Sequence, residues 1–445
     1  MTEAIETMPN ASAQLLARDK AAVSNAIGRY TEIVFARGEG SYVFDLEGKR
    51  YLDLAAGVAT NAVGHCHPRV VKAIVDQAQT LLHAGTPVGY TAPYVDFIET
   101  LKATLPAPLS NGKGVLVNSG GEAVETALKM ARMMTKRSMV LAFTESFHGR
   151  PMGALGATGS SSNYRKGLGA LLAGVTHTPY PNCGACVFGH GPREPEACCG
   201  VWKNMIQMTL DKLVHPDDLA AIIVEPIAGE GGYIVPPPDF LKTLREYCDK
   251  TGALLIADEV QTGLGRTGAW WGFEGSGVVP DIIAFGKAAG GGLPLGGIIA
   301  TKPLAERWPT GSHGSTFGGN PVACRAGIET INIIRDDNLM AHATAMGEHM
   351  RGRLNAERAS LPLLGAVRGR GLMVAADLIK KDGKPLDPKS FKLVLHDIGQ
   401  NGVIVTKCGA AALRFAPALN ITKEQIDSAL DSIFDVLHEL APSVG

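Results

Sequence analysis

A lysine that could react with an aldehyde and an aspartate that could hold an aromatic ring nitrogen are the residues of this sequence with the clearest chemistry. Lys287 lies in the glycine-rich segment A-F-G-K-A-A-G-G-G-L-P-L-G-G at 284–297, and Asp258 opens D-E-V-Q-T-G-L-G-R-T-G at 258–268. Both come at the ends of short apolar runs that are typical of strands. A lysine amine forms a Schiff base with an aldehyde, and a carboxylate holds a pyridine nitrogen protonated so that the ring accepts electrons. The pair therefore indicates a site for pyridoxal 5′-phosphate (PLP).

Two further segments have residues that could hold such a cofactor. N-S-G-G-E-A places Ser119, Gly120 and Gly121 where a strand is expected to turn into a helix, and the free N–H groups of a helix start bind phosphate. In F-H-G-R, Phe147 could stack on a flat ring, and the neighbouring His148 is a further candidate for binding the cofactor. An ordinary strand–helix turn and a surface loop are the alternative interpretations of the two segments.

Four polar residues complete the candidate set. Glu225 ends an apolar run, where burial without a partner is costly; a solvated strand end is the alternative. Gln261 follows Asp258 closely and could bind the phenol oxygen of the cofactor, and Thr316 offers a hydroxyl to its phosphate. Arg414, in L-R-F-A-P-A-L, suits a substrate carboxylate, with a structural ion pair as the alternative.

The elements that must position these residues are short apolar strands alternating with helical stretches. This pattern predicts an α/β fold with a mainly parallel sheet covered on both faces. Ligands of open α/β sheets bind beyond the carboxyl ends of the strands, so the candidates above should converge there. The predicted strands lie within 114–123, 138–143, 220–226, 253–259, 281–286, 368–378 and 402–406, with a hairpin at 41–54, a helix from about Pro68 and a C-terminal helix after a capping Thr.

In this order, the motifs resemble those of the class III (subgroup II) PLP-dependent aminotransferases, and above all of 4-aminobutyrate aminotransferases. The resemblance extends from G-H-C-H-P to L-R-F-A-P-A-L, nearly the whole chain. It implies PLP-dependent transferase fold type I, in which a large domain has a mainly parallel seven-stranded sheet between helices and a small α+β domain comes from both termini. The implied limits are 1–70 for the N-terminal part of the small domain, 71–325 for the large PLP-binding domain and 326–445 for the C-terminal small domain.

The resemblance also implies roles for individual residues. Lys287 would carry the Schiff base and move the proton between substrate and cofactor, and Asp258 would pair with the pyridine nitrogen. The remaining cofactor contacts would come from Ser119, Gly120, Gly121, Phe147, Val260, Gln261 and a Thr316 of the neighbouring subunit. Arg414 would bind the α-carboxylate of glutamate or 2-oxoglutarate, Glu230 would pair with Arg414 when the substrate has none, and Arg150 and Val58 would lie near the distal end of the substrate.

One position departs from the family pattern. The phosphate loop usually reads S-G-[TS]-E-A, whereas Gly121 has no hydroxyl. The missing hydrogen bond is worth on the order of 1 kcal/mol.

The function implied is transfer of an amino group from an ω-amino acid or amine, of the 4-aminobutyrate type, to 2-oxoglutarate by a ping-pong mechanism. The same resemblance implies a homodimer or a dimer of dimers with shared active sites. A PLP-dependent amino-acid racemase or epimerase, and an ornithine, acetylornithine or β-amino-acid aminotransferase, are the alternatives.

Composition excludes several other classes. The net charge of −1 and the lack of a long basic run give no electrostatic support to a nucleic-acid or membrane-surface role. No apolar run reaches the roughly 18 residues of a membrane span, and no signal peptide is evident. A cytoplasmic enzyme is therefore expected.

A cysteine-rich insert at 181–200 has no place in the function above. Cys183, Cys186, Cys198 and Cys199 could bind zinc or an iron–sulfur cluster. The adjacent pair is awkward for a single metal, so no metal is predicted. Two disulfides and reduced loop thiols are the alternatives.

Overall fold

The structure is a computed structural model that describes residues 10–169, 171 and 173–444. Its strands are β1 (Phe35–Glu39), β2 (Tyr42–Asp45), β3 (Arg50–Asp53), β4 (Lys113–Val117), β5 (Met139–Phe143), β6 (Val175–Thr178), β7 (Leu219–Val224), β8 (Leu254–Asp258), β9 (Ile282–Phe285), β10 (Gly296–Ala300), β11 (Leu364–Arg370), β12 (Met373–Leu378), β13 (Val403–Ile404), β14 (Thr406–Cys408) and β15 (Ala412–Phe415). Its helices are α1 (Ala11–Ala22), α2 (Ala56–Ala59), α3 (Pro68–Thr80), α4 (Ala92–Lys102), α5 (Gly120–Thr135), α6 (Met152–Ala157), α7 (Val201–Lys212), α8 (Phe240–Thr251), α9 (Lys302–Arg307), α10 (Pro321–Asp336), α11 (Leu339–Glu357), α12 (Pro388–Gln400) and α13 (Lys423–Val444).

The largest sheet has seven strands in the order β4-β10-β9-β8-β7-β5-β6. Strands β5 to β9 run parallel, and β10 is antiparallel to both of its neighbours. The predicted seven-stranded, mainly parallel sheet is therefore confirmed. Strand β10 is not among the predicted strands, and its first two residues, Gly296 and Gly297, belong to the glycine-rich segment at 284–297. A side chain on Gly297 would place its Cβ 2.3 Å from the carbonyl oxygen of Val115, so close strand packing explains this glycine.

Both faces of the large sheet are buried, as the uninterrupted apolar strands predict. Successive residues of β7 point into two separate apolar clusters, with Ile222 and Val224 in one cluster and Ala221 and Ile223 in the other. This alternation follows the two-residue period of a strand. A sheet covered on both faces leaves only its edges and its strand ends open to ligands.

Two smaller sheets flank this layer. One has the order β1-β2-β3-β13, in which β2 and β3 form the predicted hairpin and β13 pairs parallel to β3, so distant parts of the chain share one sheet. The other is antiparallel, in the order β11-β12-β15-β14. The run at 368–378 is not one strand but contains the end of β11, a turn at Gly371 and all of β12. Gly371 interrupts the run with φ +54°. The proposed domain limits at 70 and 325 stay predictions.

The predicted helix signals at Pro68 and near the C-terminus are confirmed. Pro68 is the first residue of α3. Before α13, the Thr422 hydroxyl accepts a hydrogen bond from the Gln425 N–H at 3.2 Å, and the Thr422 N–H donates to Gln425 Oε1 at 2.9 Å. This is a capping box. Within the described ranges, no helix has the length and apolar character needed to cross a membrane.

Candidate active site

Three neighbouring parallel strands bring the predicted catalytic residues to one edge of the large sheet. Glu225 directly follows β7, Asp258 ends β8, and Lys287 comes two residues after β9. Both carboxylates act electrostatically on the Lys287 amine, and so do Glu230 and Arg414. The sheet edge and the adjoining β15 therefore bring together five residues that are spread from position 225 to position 414 of the sequence. This convergence agrees with the strand-end argument.

Asp258 is held by a buried contact with His148. The Asp258 Oδ2 and His148 Nδ1 atoms are 2.7 Å apart, and both side chains are almost fully buried. Asp258 Oδ1 also accepts a hydrogen bond from the Val260 N–H at 3.1 Å. His148 Nε2 is buried and has no hydrogen-bond partner among the described residues. These contacts fix the direction of a carboxylate that burial would otherwise disfavour.

Lys287 has an environment that favours the uncharged amine. Burial lowers the pKa of Lys287 from its ordinary value of 10.5, and the carboxylate of Glu230 opposes this shift. The residue has φ +47° and begins a short turn, Lys287–Gly290, that packs against α2. Because the unprotonated amine is the nucleophile, a lowered pKa makes the lysine more reactive toward an aldehyde near neutral pH.

Val58 lies in α2, beside the Lys287 turn. All four residues of α2 have positive φ, with Val58 at φ 61° and ψ 52°. Left-handed backbone is unfavourable for residues other than glycine. Strain of this kind concentrates at functional sites, and here it lies against the reactive lysine.

The segment of Ser119, Gly120 and Gly121 forms the start of the long helix α5. Ser119 is the N-cap, and its hydroxyl accepts a hydrogen bond from the Glu122 N–H at 3.2 Å. A Cβ on Gly120 would lie 2.5 Å from Val260 Cγ1, so this glycine allows the helix start to approach the strand end that bears Asp258. The first-turn N–H groups have no partner inside the helix and form a place for an anion.

The departure at Gly121 has a local explanation. A Cβ at this position would lie 2.9 Å from Pro151 Cδ and 3.2 Å from Pro151 Cγ. The proline ring therefore fills the space that a serine or threonine side chain needs. Gly121 therefore allows the start of α5 to pack closely on the segment that follows F-H-G-R.

The Glu225 carboxylate binds the backbone N–H of Phe147. Glu225 Oε1 accepts a hydrogen bond from the Phe147 N–H at 2.7 Å, and Oε2 accepts one from the Gly229 N–H at 2.9 Å. Burial raises the pKa of Glu225 to about 7. The Phe147 ring meets the edge of Tyr164 at 5.3 Å, and the Arg150 guanidinium lies 4.7 Å from the centre of the same tyrosine ring.

Arg414 and Glu230 form an ion pair near the lysine. Arg414 is 1% exposed, and its Nη1 contacts Glu230 Oε1 directly. The Arg414 Nε donates to the Thr406 hydroxyl at 2.8 Å. Tyr30 lies close enough that both charges of the pair act on its hydroxyl, whose pKa burial raises. An arginine buried in this way needs a counter-charge, which Glu230 supplies.

Gln261 is oriented by a tyrosine. The Tyr233 hydroxyl donates to Gln261 Oε1 at 2.8 Å, and both side chains are buried. Sequence reasoning missed Tyr30, Tyr164, Tyr233 and Thr406. The three tyrosines belong to no motif or strand end, and Thr406, although it ends the predicted strand at 402–406, carries no motif either. Only the folded chain brings them to the site.

Thr316 is the predicted site residue that the fold does not bring to this cleft. It lies on an exposed segment, and no hydrogen bond joins it to Lys287 or Ser119 within the described part of the chain. Its neighbour Ser315 instead accepts a hydrogen bond from the Asn118 side chain at 3.2 Å.

The chemistry of the remaining donors fits PLP. Lys287 offers an amine for the aldehyde and Asp258 a carboxylate for the ring nitrogen. Gln261 offers an amide near the phenol oxygen, and the start of α5 offers N–H groups for the phosphate. The missing side chain at Gly120 lets these N–H groups lie close to Val260 and to the strand end that bears Asp258.

Comparison with known proteins points the same way. The family model for class-III aminotransferases matches residues 24–437. The chain is 36% identical over 441 residues to the 5-aminovalerate aminotransferase DavT of Pseudomonas aeruginosa, covering 98% of this chain and 100% of the relative. It is 35% identical to the 4-aminobutyrate aminotransferase GabT of Escherichia coli, covering 97% and 99% of the two chains.

A second kind of relative is equally similar. The acetylornithine aminotransferase of Methanosarcina mazei is 38% identical over 435 residues, covering 97% of this chain and 99% of the relative. Among solved structures, an (S)-enantioselective ω-transaminase from Thermomicrobium roseum superimposes with a TM-score of 0.88 at 32% identity, covering 98% and 100% of the two chains. The predicted resemblance and the fold type are confirmed.

The lowered pKa of Lys287 predicts the pH dependence of cofactor uptake. Only the unprotonated amine attacks the aldehyde, so uptake of PLP by the apoenzyme should rise with pH and reach half of its maximal rate below 10.5, the ordinary pKa of lysine. The rate is measured by visible absorbance from about pH 6 to about pH 11, a range that includes the ordinary pKa of lysine. Free Nα-acetyl-lysine with PLP is the control, and a midpoint equal to that of the free amine would contradict the prediction.

Proposed function

This chain is a class-III aminotransferase and hence a PLP-dependent transaminase, and on that premise we propose that it moves an amino group from a 4-aminobutyrate-like ω-amino acid to 2-oxoglutarate. The observation that carries the proposal is the buried pair of Arg414 and Glu230 beside Lys287. A ping-pong reaction must accept two substrates in one site, one after the other. In this reaction one substrate has a carboxylate next to the reacting carbon and the other has none.

The ion pair gives one site two states. With an ω-amino acid bound, the reacting carbon bears no carboxylate, and Glu230 neutralises Arg414. With glutamate or 2-oxoglutarate bound, the α-carboxylate takes the place of Glu230 on the guanidinium. The exchange is feasible because the Glu230 side chain is 16% exposed and has a path toward solvent, whereas Arg414 is fixed by Thr406 and by burial.

Bound PLP supplies an aldehyde and an electron-accepting ring. Lys287 holds the cofactor at rest and, once displaced by the incoming amine, takes the proton from the reacting carbon. Its lowered pKa suits this role, because a general base must be unprotonated near neutral pH. Asp258, oriented by His148, would hold the ring nitrogen protonated, and Phe147 and Val260 would pack on the ring.

Arg150 suits the distal carboxylate of the donor. Its guanidinium is exposed at the mouth of the cleft and is supported by the Tyr164 ring at 4.7 Å. A cation on an aromatic platform is partly pre-oriented and loses less freedom when it binds a carboxylate. The distance between Arg150 and Lys287 then selects the length of the donor.

An acetylornithine aminotransferase is the second candidate. The relative of that activity is 38% identical to this chain. Acetylornithine also reacts at an ω-amine, so the Arg414 and Glu230 pair serves it equally well. The two candidates differ at the distal end, where acetylornithine carries an acetamido group beside its carboxylate.

The direct test is glutamate formation. The PLP-loaded protein with 4-aminobutyrate and 2-oxoglutarate should produce glutamate at a rate that Lys287→Ala abolishes. Acetylornithine is the parallel donor. A rate at least tenfold higher with acetylornithine, equal to about 1.4 kcal/mol of transition-state preference, would replace the donor proposed here. Racemisation of an amino acid without glutamate formation would contradict the proposed transamination.

The Glu230 role predicts a selective loss. Glu230→Ala leaves the Arg414 charge unpaired when the donor lacks an α-carboxylate, so kcat/KM for the ω-amino donor should fall about tenfold or more relative to kcat/KM for glutamate. Both half-reactions are measured by the change in cofactor absorbance. Glu306→Ala, at an exposed ion pair with Lys113, is the matched control. Equal losses in the two half-reactions would show that Glu230 does not switch.

We also propose a dimer with shared active sites, in which Thr316 binds the phosphate of the partner subunit. The support is an exposed apolar surface beside Thr316: Phe317 is 62% exposed, Val88 86% and Tyr90 104%. The segments are adjacent, because the Thr86 hydroxyl donates to the Gly318 carbonyl oxygen at 3.1 Å. Exposed apolar surface of this kind marks an interface.

The dimer predicts a solution mass of twice the 46.7 kDa of one chain, or a multiple of that dimer. Phe317→Asp should shift the protein toward monomer and lower its affinity for PLP, because Thr316 then no longer reaches a partner site. Phe35→Asp, at another exposed phenylalanine, is the control. Light scattering and PLP titration report the two effects, and a native protein of monomer mass would contradict the shared site.

A further inference from the structure

The insert between β6 and α7 brings four cysteines together in two pairs. The Cys186 and Cys199 sulfur atoms are 3.9 Å apart, and Cys198 is the cysteine that acts most strongly on the Cys183 thiol. These four residues, the thiol cluster, line a small cavity of about 20 Å³ with Tyr180 and Trp202 among its walls. All four are free thiols.

The arrangement does not suit a metal ion. Across the described ranges, no group of three or more His, Cys, Asp and Glu side chains is placed to hold one. The adjacent residues Cys198 and Cys199 turn to different partners, one toward Cys183 and the other toward Cys186. A tetrahedral site needs all four sulfurs around one point, whereas two separate pairs are suited to sulfur–sulfur bonds.

We propose that Cys186 and Cys199 form a reversible disulfide when the protein meets a small-molecule disulfide such as oxidised glutathione. One thiolate of the pair attacks the glutathione disulfide, which gives a mixed disulfide and one reduced glutathione. The second thiolate then attacks the protein sulfur of the mixed disulfide and releases a second reduced glutathione. Two thiols are oxidised, one glutathione disulfide is reduced, and the two thiol protons go to the two glutathione molecules.

Geometry selects this pair over the others. Cys186 and Cys199 are both partly exposed, so the oxidant can reach them, whereas Cys183 is only 6% exposed. Burial also raises the pKa of the Cys183 thiol, which lowers the fraction of the reactive thiolate. The two sulfurs at 3.9 Å must approach to about 2 Å. The pair of Cys183 and Cys198 stays reduced under the same conditions.

The bond would close a loop within the insert, whose two ends are already fixed next to the sheet that carries the candidate active site. Tyr180 precedes the insert, and its hydroxyl donates to the carbonyl oxygen of Glu225 at 3.1 Å. Trp202 follows the insert, and the Trp202 and Tyr180 rings both pack on Phe240, at 5.2 and 5.1 Å. Both ends of the insert are thus fixed to the core, and the disulfide restrains the chain between them.

Peptide mapping tests the proposal. The PLP-loaded protein is incubated with oxidised glutathione, free thiols are alkylated, and the chain is digested with trypsin. Cleavage after Lys166, Arg193 and Lys203 separates Cys186, in 167–193, from Cys199, in 194–203. The expected result is one link between these peptides, assigned to Cys186 and Cys199 by fragmentation. Two of the eight cysteines should then resist alkylation until a reductant is added.

Cysteine variants test which two residues form the bond. Cys186→Ser and Cys199→Ser should each abolish the link, whereas Cys66→Ser, at an exposed cysteine outside the cluster, should leave it intact. A link within Cys183 and Cys186, a link within Cys198 and Cys199, or no link in the native protein would overturn the proposal. In a last comparison, the reduced protein is incubated with Zn²⁺ alone. Binding of one zinc per chain that protects all four thiols from alkylation would also overturn the proposal.

Discussion

The active site depends on a carboxylate that ends a buried strand. Asp258 completes β8, the middle strand of the large sheet, and an acid at such a depth is tolerated only with donors close by. His148 and the Val260 N–H meet this need from two sides. The next residue, Glu259, is satisfied in the same way by the N–H groups of Gly272 and Phe273, each at 2.9 Å. Two successive buried acids thereby fix the start of the loop that carries Gln261.

Glycines and one proline then set the distances around this carboxylate. Gly120 lets the start of α5 approach Val260, and Gly297 lets β10 approach β4. Pro151 fills the space that a hydroxyl-bearing residue at 121 would need. The start of α5 thus packs closely on the segment that carries Phe147, at the position where the resemblance leads one to expect a hydroxyl. The second half of the site comes from elsewhere, because Arg414 belongs to the antiparallel sheet and reaches the cleft across the boundary between sheets.

The sequence alone predicted the parts of this arrangement that are encoded locally. Lys287, Asp258 and the start of α5 come at the ends of apolar runs that are typical of strands in a covered sheet, so their convergence was predictable. Tyr30, Tyr164 and Tyr233 were not predictable, because nothing in their own segments distinguishes them, and their roles arise from contacts with residues distant in the chain. Strand β10 was missed because glycine favours loops, although here close strand packing requires it. Thr316 stays a prediction because its proposed role involves a second chain.

The measurement that tests the central claim most directly is the half-reaction rate of Asp258→Asn. The variant is loaded with PLP, and the loss of cofactor absorbance is followed with the amino donor that the native enzyme uses, with the exposed Asp239→Asn as control. If Asp258 supplies the charge that the ring nitrogen needs, the variant should bind PLP and react on the order of 100-fold more slowly or worse. A variant that reacts as fast as the native protein would contradict the account of how this strand end works.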